Sequence, residues 1–314
     1  MELDLAGLIP ATVTPMRSDG SVDEDGLRRY IRWLLRFDGL RALAVNMDTG
    51  EGPQLLPDER RRILEVYAEE TRGALPLLAG IGAPNTTAAV ELARDARAAG
   101  AGGLVVFPHP AFVGEPLPAD VPYEYHRAIA DAVDLPIVLF QLQPELGGVI
   151  FSPEVLLKLL SIPNVVAIKE ASFDAARFVA TAQVLREAPR RVQLLTGNDN
   201  FILESFVLGA DGALIGFGTL AIAEQIDMIA RHRAGDAAGA REIYDRVVQP
   251  LANVIFAPPV RDYRARVKEA LVELGVIDAA HVRAPLLPLP GDERERVRRA
   301  VREANLSLPV AVER

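Results

Sequence analysis

The segment VVAIKEAS, residues 165–172, contains a lysine at a position where a lysine is costly. Four apolar residues run directly into Lys169, and an ammonium group buried among apolar side chains without a partner loses its hydration. Loss of hydration lowers the pKa of an amine, and a neutral amine is a nucleophile for a carbonyl carbon. A lysine that pairs with a carboxylate, or extends its amine into solvent, would suit the same position equally well. The position alone leaves both interpretations open.

Short apolar runs like the one before Lys169 recur along the whole chain and alternate with amphipathic segments. Strands that are apolar on both faces are typical of a parallel sheet covered by helices on both sides. Eight such units, at a spacing of roughly 30 residues, predict an α/β fold of the (β/α)8 TIM barrel type. The predicted strands are 8–14, 42–46, 77–82, 103–107, 136–140, 165–169, 192–196 and 212–217.

A doubly wound open sheet is the alternative α/β fold, but no G-x-G-x-x-G motif follows the first predicted strand to support it. We therefore assign residues 1–225 to a barrel that carries the active site, and residues 226–314 to a C-terminal helical extension packed on that barrel. Amphipathic patterns and capping residues predict the helices. They include 23–37, 86–100 (with Thr86 as N-cap and Gly100 as C-terminal stop), 237–256 and 264–275.

The predicted barrel gives the lysine a direction, because alternate residues of a barrel strand point inward. If Lys169 points inward, Ala167 and Val165 do so as well, while Ile168 and Val166 meet the outer helices. Lys169 then lies at the C-terminal end of the sixth strand, on the face where barrel active sites are built.

Composition excludes several classes of function. The chain has 314 residues, a net charge of −9 and a pI near 5.1, which disfavours nucleic acid as a partner. It has no cysteine, so thiol nucleophiles and thiolate metal sites are excluded. No run of about 18 apolar residues predicts a membrane span, and the N-terminus lacks the form of a signal peptide. We expect a cytoplasmic protein in which the mixed-charge segments 58–70 and 292–303 are solvated helix faces.

Further motifs match a known pattern in order along the chain. They are ATVTPM (11–16), DTGEG (48–52), TGNDN (196–200), LGADGALIG (208–216) and VRAPLLPL (282–289). Together with NVVAIKEAS (164–172), they resemble the dihydrodipicolinate synthase/N-acetylneuraminate lyase family over nearly the whole length of the chain.

The resemblance implies that Lys169 condenses with the ketone of a 2-oxo acid. The protonated imine would act as an electron sink, so that a neighbouring carbon loses a proton and an enamine forms. That enamine can add to an aldehyde, arise by retro-aldol cleavage, or expel a hydroxyl group as water. This chemistry requires no metal and no organic cofactor. The resemblance also assigns Thr49, Gly50, Gly197 and Asn198 to substrate binding, with the loop at Thr49 and Gly50 holding the substrate carboxylate.

The chain departs from the family after the fifth strand, where relatives usually read Tyr-Asn-x-Pro and the tyrosine hydroxyl moves protons around the imine. Here Phe140 takes the tyrosine position and Gln141 the asparagine position, and we expect both to line the substrate site. The lysine-biosynthesis branch places an arginine further along this loop to hold a second carboxylate. The matching position is Glu145, which would repel that carboxylate, so synthesis of dihydrodipicolinate is not expected.

Two further departures concern proton transfer. Asp48 replaces a relay threonine, and His109 stands where relatives often have a tyrosine pair. Histidine, with an unperturbed pKa near 6.5, can give and take protons at neutral pH, so His109 and Asp48 join Lys169 as candidate catalytic residues. Each also has a structural interpretation, His109 as a loop imidazole bonded to a backbone carbonyl and Asp48 as a turn or capping carboxylate. An unpaired Asp48 anion would oppose binding of an acidic substrate.

Two hypotheses follow. The first is a Schiff-base-forming lyase, an aldolase or dehydratase, that acts on a 2-oxo acid such as pyruvate or a 2-keto acid derived from a sugar acid. The second is a non-catalytic barrel that binds a 2-oxo acid and has lost the proton relay, as Phe140 would suggest. The resemblance implies a homo-oligomer, either tetramer or dimer, although the tyrosine that relatives often lend across the dimer interface has no clear match.

Overall fold

Eight parallel strands lie where the apolar runs predict them. The structure, a computed structural model, describes residues 3–309. Neighbouring strands pair in parallel in the order β1-β8-β7-β6-β5-β4-β3-β2, which is the sequential order of a barrel. The strands are β1 (Leu8–Pro10), β2 (Leu43–Val45), β3 (Leu77–Ile81), β4 (Gly103–Val106), β5 (Ile137–Leu142), β6 (Val165–Ala171), β7 (Gln193–Thr196) and β8 (Gly212–Ile215).

The sheet closes on itself between β1 and β2. Ala11 and Ala44 form a parallel bridge just beyond the end of β1, and the Thr12 N–H donates to the Ala44 carbonyl oxygen at 2.9 Å. A second parallel bridge joins Leu8 and Leu40. These contacts complete the ring of strands, so the predicted (β/α)8 barrel is confirmed.

Apolar side chains pack in two layers, one inside the barrel and one between the strands and the helices. Alternate strand residues such as Ile9, Val105 and Val138 fill the interior. Their neighbours along the strands, such as Leu8 and Leu104, pack outward against the helices. Strands buried on both faces have to be apolar at every position, which is why they read as continuous apolar runs.

One irregularity interrupts the predicted alternation at the start of β6. Ile137 pairs with Val165, but Val138 pairs with Ala167, so Val166 is an extra residue in the ladder. An extra residue reverses the side-chain alternation on its N-terminal side. The inward direction predicted for Val165 and the outward direction predicted for Val166 are therefore wrong. Val165 packs in the outer layer and Val166 against the interior.

Beyond this irregularity the alternation is as predicted. Ala167 belongs to the interior layer and Ile168 to the outer layer. Strands β5 and β6 both continue two residues past the predicted ends, to Leu142 and Ala171. Lys169 therefore lies within a paired strand rather than at its last residue, with its side chain on the interior side.

Helices connect the strands around the outside of the barrel. The predicted N-cap of the third helix was wrong by one residue, because the Asn85 side chain accepts the Ala88 N–H at 2.9 Å and Thr86 is the first helical residue. The helices of the ring are α1 (Glu24–Leu34), α2 (Pro57–Thr71), α3 (Thr86–Ala98), α4 (Asp120–Ala132), α5 (Pro153–Leu159), α6 (Ala175–Glu187), α7 (Ile202–Val207) and α8 (Ile222–Arg233).

The C-terminal part of the chain is helical after α8. The boundary predicted at residue 225 falls inside α8, so we propose that the barrel unit includes this helix and that the extension begins after it. The outermost residues of the two predicted ranges, 1–2 and 310–314, lie outside the described part of the chain. The helices of the extension are α9 (Ala237–Ile243), α10 (Gln249–Ile255), α11 (Tyr263–Glu273) and α12 (Gly291–Ala304), and a π-helical turn (Tyr244–Val248) joins α9 to α10.

The mixed-charge segments form exposed helix faces, as predicted. Arg62 and Glu69 pair on α2 at 2.9 Å, and Arg302 and Glu295 pair on α12 at 2.5 Å. Exposed pairs of this kind contribute little to stability, because solvent screens both charges. Between residues 3 and 309, no helix combines the length and the apolar character needed to cross a bilayer.

A buried ion pair joins the extension to the loop after β2. The Lys268 ammonium on α11 donates to one carboxylate oxygen of Glu51, and both side chains are fully buried. The same ammonium donates to the His281 carbonyl oxygen at 2.7 Å, and the second Glu51 oxygen accepts the Arg283 N–H at 2.7 Å. Glu51 itself has a left-handed backbone conformation, with φ of 59°. The pair fixes this loop against α11.

We expect Lys268→Met to destabilise the protein by about 3–5 kcal/mol, because the Glu51 carboxylate would stay buried without its cation. Urea denaturation followed by far-UV circular dichroism measures the change. The double variant Lys268→Met/Glu51→Gln should recover part of the loss. Lys158→Met, which removes a partly exposed ion pair with Asp120, is the matched control and should cost far less. Equal losses at Lys268 and Lys158 would contradict the interpretation.

Candidate active site

Lys169 lies inside the barrel toward the C-terminal end of β6, and only 7% of its surface is exposed. Burial lowers the pKa of its amine to about 8, while the negative charges of Asp199 and Asp48 act in the opposite direction. At pH 7 about a tenth of such an amine is neutral, far more than for an ordinary lysine with a pKa near 10.4. The apolar run left a desolvated amine as one of two interpretations, and the family resemblance favoured it.

An aromatic wall faces the amine from the neighbouring strand. Phe140 pairs with Lys169 in the β5–β6 ladder, and its ring centroid lies 4.2 Å from the lysine Nζ. The Phe107 ring packs edge-on against Phe140 at 5.0 Å. The face of an aromatic ring attracts a cation. Phe140 therefore lies beside the Lys169 amine, where it offers charge stabilisation but no proton.

Gly197, the residue after β7, leaves room for the Lys169 side chain on the neighbouring strand β6. A Cβ atom at this position would lie 2.7 Å from the Lys169 Cε and 2.6 Å from the Ala171 Cβ, which is closer than such atoms approach. Any side chain here would displace the stem of the lysine. Gly197 thus lies against the Lys169 side chain, and the substrate-binding role predicted for it stays a prediction.

Asp199 is a site residue that the sequence reasoning missed. Its carboxylate is buried, accepts the Phe217 N–H at 2.8 Å, and influences the Lys169 amine. Burial raises the pKa of Asp199, and the nearby lysine charge counteracts part of that rise. Asp199 lies in the turn after β7, which ends at Thr196, so the strand alternation that placed Lys169 does not extend to it.

Asn198 lies on the other side of the same segment. Its amide nitrogen donates to the Glu170 carboxylate at 2.7 Å and to the Glu170 carbonyl oxygen at 2.9 Å, and its amide oxygen accepts the Phe173 N–H at 2.6 Å. These contacts hold the ends of β6 and β7 together. The predicted contact with substrate is therefore replaced by a role in positioning the two strand ends. Glu170, the residue after the lysine, is the outward partner in this arrangement.

Gln141 also points away from the barrel interior. Its neighbours Phe140 and Leu142 belong to the interior layer, so its own side chain faces the helices. The amide nitrogen donates to the Thr181 hydroxyl at 2.9 Å, and the amide oxygen accepts the Phe151 N–H at 2.8 Å. Gln141 therefore holds the loop after β5 in place through these two hydrogen bonds. The substrate contact predicted for Gln141 does not follow from this geometry.

The Asp48 carboxylate is paired with a cation, and its predicted catalytic role stays a prediction. Both carboxylate oxygens lie 2.5 Å from the Arg264 Nη2, and the Tyr263 hydroxyl donates to one of them at 2.7 Å. The Arg264 Nε also donates to the Asp48 carbonyl oxygen at 3.0 Å. The guanidinium offsets the anionic charge that would otherwise oppose an acidic substrate. Tyr263 and Arg264 come from α11, and no pattern in the sequence indicates that either residue reaches Asp48.

Thr49 and Gly50 differ in the hydrogen-bonding groups that they direct toward the Asp48 cluster. The Thr49 hydroxyl is buried and lies 3.3 Å from the Tyr263 hydroxyl. The Gly50 N–H already donates to the Met47 carbonyl oxygen at 3.1 Å, and the Gly50 carbonyl oxygen accepts the Thr14 hydroxyl at 2.8 Å. Of the two residues predicted to hold the substrate carboxylate, only Thr49 contacts the polar cluster around Asp48. Gly50 shapes the turn.

His109 has the structural geometry that was the alternative to a catalytic role. Its Nε2 lies 2.9 Å from the Pro84 carbonyl oxygen, and its Nδ1 accepts the Ala111 N–H at 3.0 Å. This arrangement uses both ring nitrogens and fixes a neutral tautomer with the proton on Nε2. The ring therefore stabilises the loop after β4, and neither nitrogen is directed at a reacting group.

The polar cluster adjoins a cavity at the C-terminal mouth of the barrel. The cavity has a volume of about 370 Å³ and opens between the loops that follow β2, β3, β4 and β5. Asp48, Phe107 and Leu142 are among its lining residues. In the range 3–309, no cluster of three or more acidic or histidine side chains has the arrangement of a metal site.

Comparisons with known proteins agree with this geometry. Residues 4–304 match the model of the dihydrodipicolinate synthetase family. The 4-hydroxy-tetrahydrodipicolinate synthase of Leptothrix cholodnii is 34% identical over 303 residues, which covers 96% of this chain and 99% of the relative.

Solved structures are similar over the same length. The chloride-inhibited dihydrodipicolinate synthase of Acinetobacter baumannii, complexed with pyruvate, has a TM-score of 0.83 and 30% identity, covering 96% of this chain and 100% of that one. A monomeric dihydrodipicolinate synthase variant has a TM-score of 0.86 and 27% identity, covering 97% and 98%. Because one similar structure is monomeric, membership of the family does not fix an oligomeric state.

The resemblance inferred from the sequence motifs is thus confirmed by the family model, by the curated relative and by the solved structures. The chain belongs to the dihydrodipicolinate synthetase family, and it is a class I lyase of the kind that forms a Schiff base on a lysine.

Proposed function

We propose that Lys169 forms an imine with a 2-oxo acid, such as pyruvate or a 2-keto acid derived from a sugar acid, and that the chain cleaves or dehydrates this substrate. The observation that carries the proposal is the buried lysine amine toward the end of β6, with its pKa lowered by burial to about 8. A neutral amine in a closed apolar setting is the reagent that imine formation needs.

The residues around the amine support each stage of this chemistry. The Phe140 ring, 4.2 Å from Nζ, favours the positive charge of the protonated imine. The Asp199 carboxylate lies on the same side and adds a second source of charge stabilisation. The Thr49 hydroxyl can hold the substrate carboxylate, next to the Asp48–Arg264 pair.

We further propose that the substrate is not the one named for the curated relatives. Phe140 provides no proton donor beside the imine, and Glu145 lies exposed in the loop after β5, next to Leu146 and Gly147 of the cavity lining. A second anionic substrate entering past this loop would meet a negative charge. A substrate with a single carboxylate and an otherwise neutral, hydroxylated chain agrees better with these features.

The first test is covalent trapping. Incubation with a panel of 2-oxo acids and borohydride should leave a reduced adduct, located by peptide mass spectrometry on Lys169. Lys169→Ala should abolish the adduct, while Lys158→Ala, which removes a surface lysine, should not change it. An adduct on another lysine, or no adduct with any 2-oxo acid, would falsify the proposed function. An adduct without any turnover would favour the non-catalytic binder.

The second test uses pH. The rate of imine formation should rise as pH increases through about 8, because deprotonation of the Lys169 ammonium creates the nucleophile. Asp199→Asn removes a negative charge that favours the ammonium, so the midpoint should move to lower pH. Cyanoborohydride trapping of pyruvate from about pH 6 to about pH 10 measures this. Asp227→Asn, an exposed control, should leave the midpoint unchanged, and an unmoved midpoint in Asp199→Asn would contradict the assigned charge interaction.

The third test addresses the substrate. A coupled assay with pyruvate and aspartate semialdehyde should show negligible turnover, because Phe140 and Glu145 supply neither the proton donor nor the cation expected for that reaction. The pyruvate adduct trapped in the same preparation is the control that the lysine is competent. Robust turnover would show that other residues of the loop recognise the second substrate.

A further inference from the structure

The proposed chemistry needs a group that gives and takes protons at the lysine adduct. Phe140 cannot exchange a proton, and both nitrogens of His109 are bound to backbone atoms. Of the six tyrosines in the chain, Tyr263 is the one whose hydroxyl contacts the polar loop after β2 in the described structure. It lies 2.7 Å from an Asp48 oxygen and 3.3 Å from the Thr49 hydroxyl.

The Tyr263 ring reaches this position because Gly216, the first residue after β8, has no side chain. A Cβ atom at Gly216 would lie 3.2 Å from the Tyr263 Cε2 and 3.1 Å from the Thr49 Oγ1, so the glycine leaves room for both. The ring stacks on Phe256 with centroids 4.8 Å apart. Immediately after Gly216, the Phe217 N–H binds Asp199, whose charge acts on the lysine amine. The hydroxyl is therefore at the same end of the barrel as the reacting group.

The surroundings of the Tyr263 hydroxyl act on its proton in two opposite directions. The Arg264 guanidinium carbon lies 5.0 Å from the centre of the Tyr263 ring, where its charge favours a transient phenolate. The Asp48 carboxylate keeps its bond to Arg264 when the hydroxyl turns away, so the rotation leaves no unpaired buried anion. Burial and the Asp48 charge raise the pKa of Tyr263 well above its usual range, so the resting hydroxyl carries its proton.

We propose that Tyr263, supplied by the C-terminal extension, is the catalytic acid and base of the lysine adduct, in place of the hydroxyl that Phe140 lacks. The proposal rests on the imine chemistry at Lys169. In the carbinolamine, the C–O bond breaks and the leaving hydroxyl takes the Tyr263 proton to depart as water, while the nitrogen lone pair forms the C=N bond. The phenolate then removes a proton from the neighbouring carbon, the electrons of that C–H bond form the enamine, and the tyrosine is restored.

The test separates formation of the adduct from movement of protons. Pyruvate is the probe, with the borohydride-trapped fraction at equilibrium as one readout and deuterium exchange into its methyl group, followed by NMR, as the other. Tyr263→Phe should slow the exchange by about 10²–10⁴-fold and leave the trapped fraction close to that of the parent. His109→Ala, which removes a loop imidazole, is the matched control and should slow the exchange far less.

A rescue variant distinguishes proton transfer from a merely structural role. Adding Phe140→Tyr to Tyr263→Phe places a hydroxyl on the ring that faces the Lys169 amine and should restore most of the exchange. Parent-like exchange in Tyr263→Phe, or a loss that Phe140→Tyr does not restore, would overturn the proposal. Failure of the underlying function looks different, because the parent chain itself would then yield no trapped adduct.

Discussion

The buried pair between Glu51 and Lys268 is the contact on which the geometry of the site depends. Neither charge can leave the interior without stranding the other, so the loop after β2 and helix α11 keep one relative position. The same loop carries Asp48 and the same helix carries Tyr263. The Glu51–Lys268 pair adds little net stability, but it fixes where the Tyr263 hydroxyl of α11 meets the Asp48 carboxylate of the loop after β2.

The architecture could be predicted from the sequence because it follows from local patterns. Eight apolar runs, each buried on both faces, indicate a parallel barrel, and strand alternation places Lys169 inside it. The error at Val165 and Val166 shows the limit of that rule, because one extra residue in β6 reverses the alternation and nothing in the sequence marks it. The lysine was placed correctly because it lies on the regular side of the irregularity.

The site was less predictable, for two different physical reasons. Asp199 lies in the turn after β7, where strand alternation no longer applies, so only the fold shows that it, and not Asn198, acts on the lysine amine. Tyr263 could not be predicted, because its contact with Asp48 joins residues 215 positions apart through a helix whose own pattern predicts only a packed, amphipathic element. Asp48 was expected to need a cation, but no local signal identified Arg264 as that cation.

The aromatic wall at Phe140 has a consequence for selectivity. An aromatic face stabilises the resting ammonium and an iminium to a similar extent, so it changes the free-energy difference between these two cations only slightly. The species that it disfavours is the neutral amine, which is the one that reacts with carbonyl compounds. On the imine chemistry proposed for Lys169, Phe140 would hold back reaction of the unoccupied lysine with stray aldehydes and ketones, while the covalent intermediate would keep the same stabilisation.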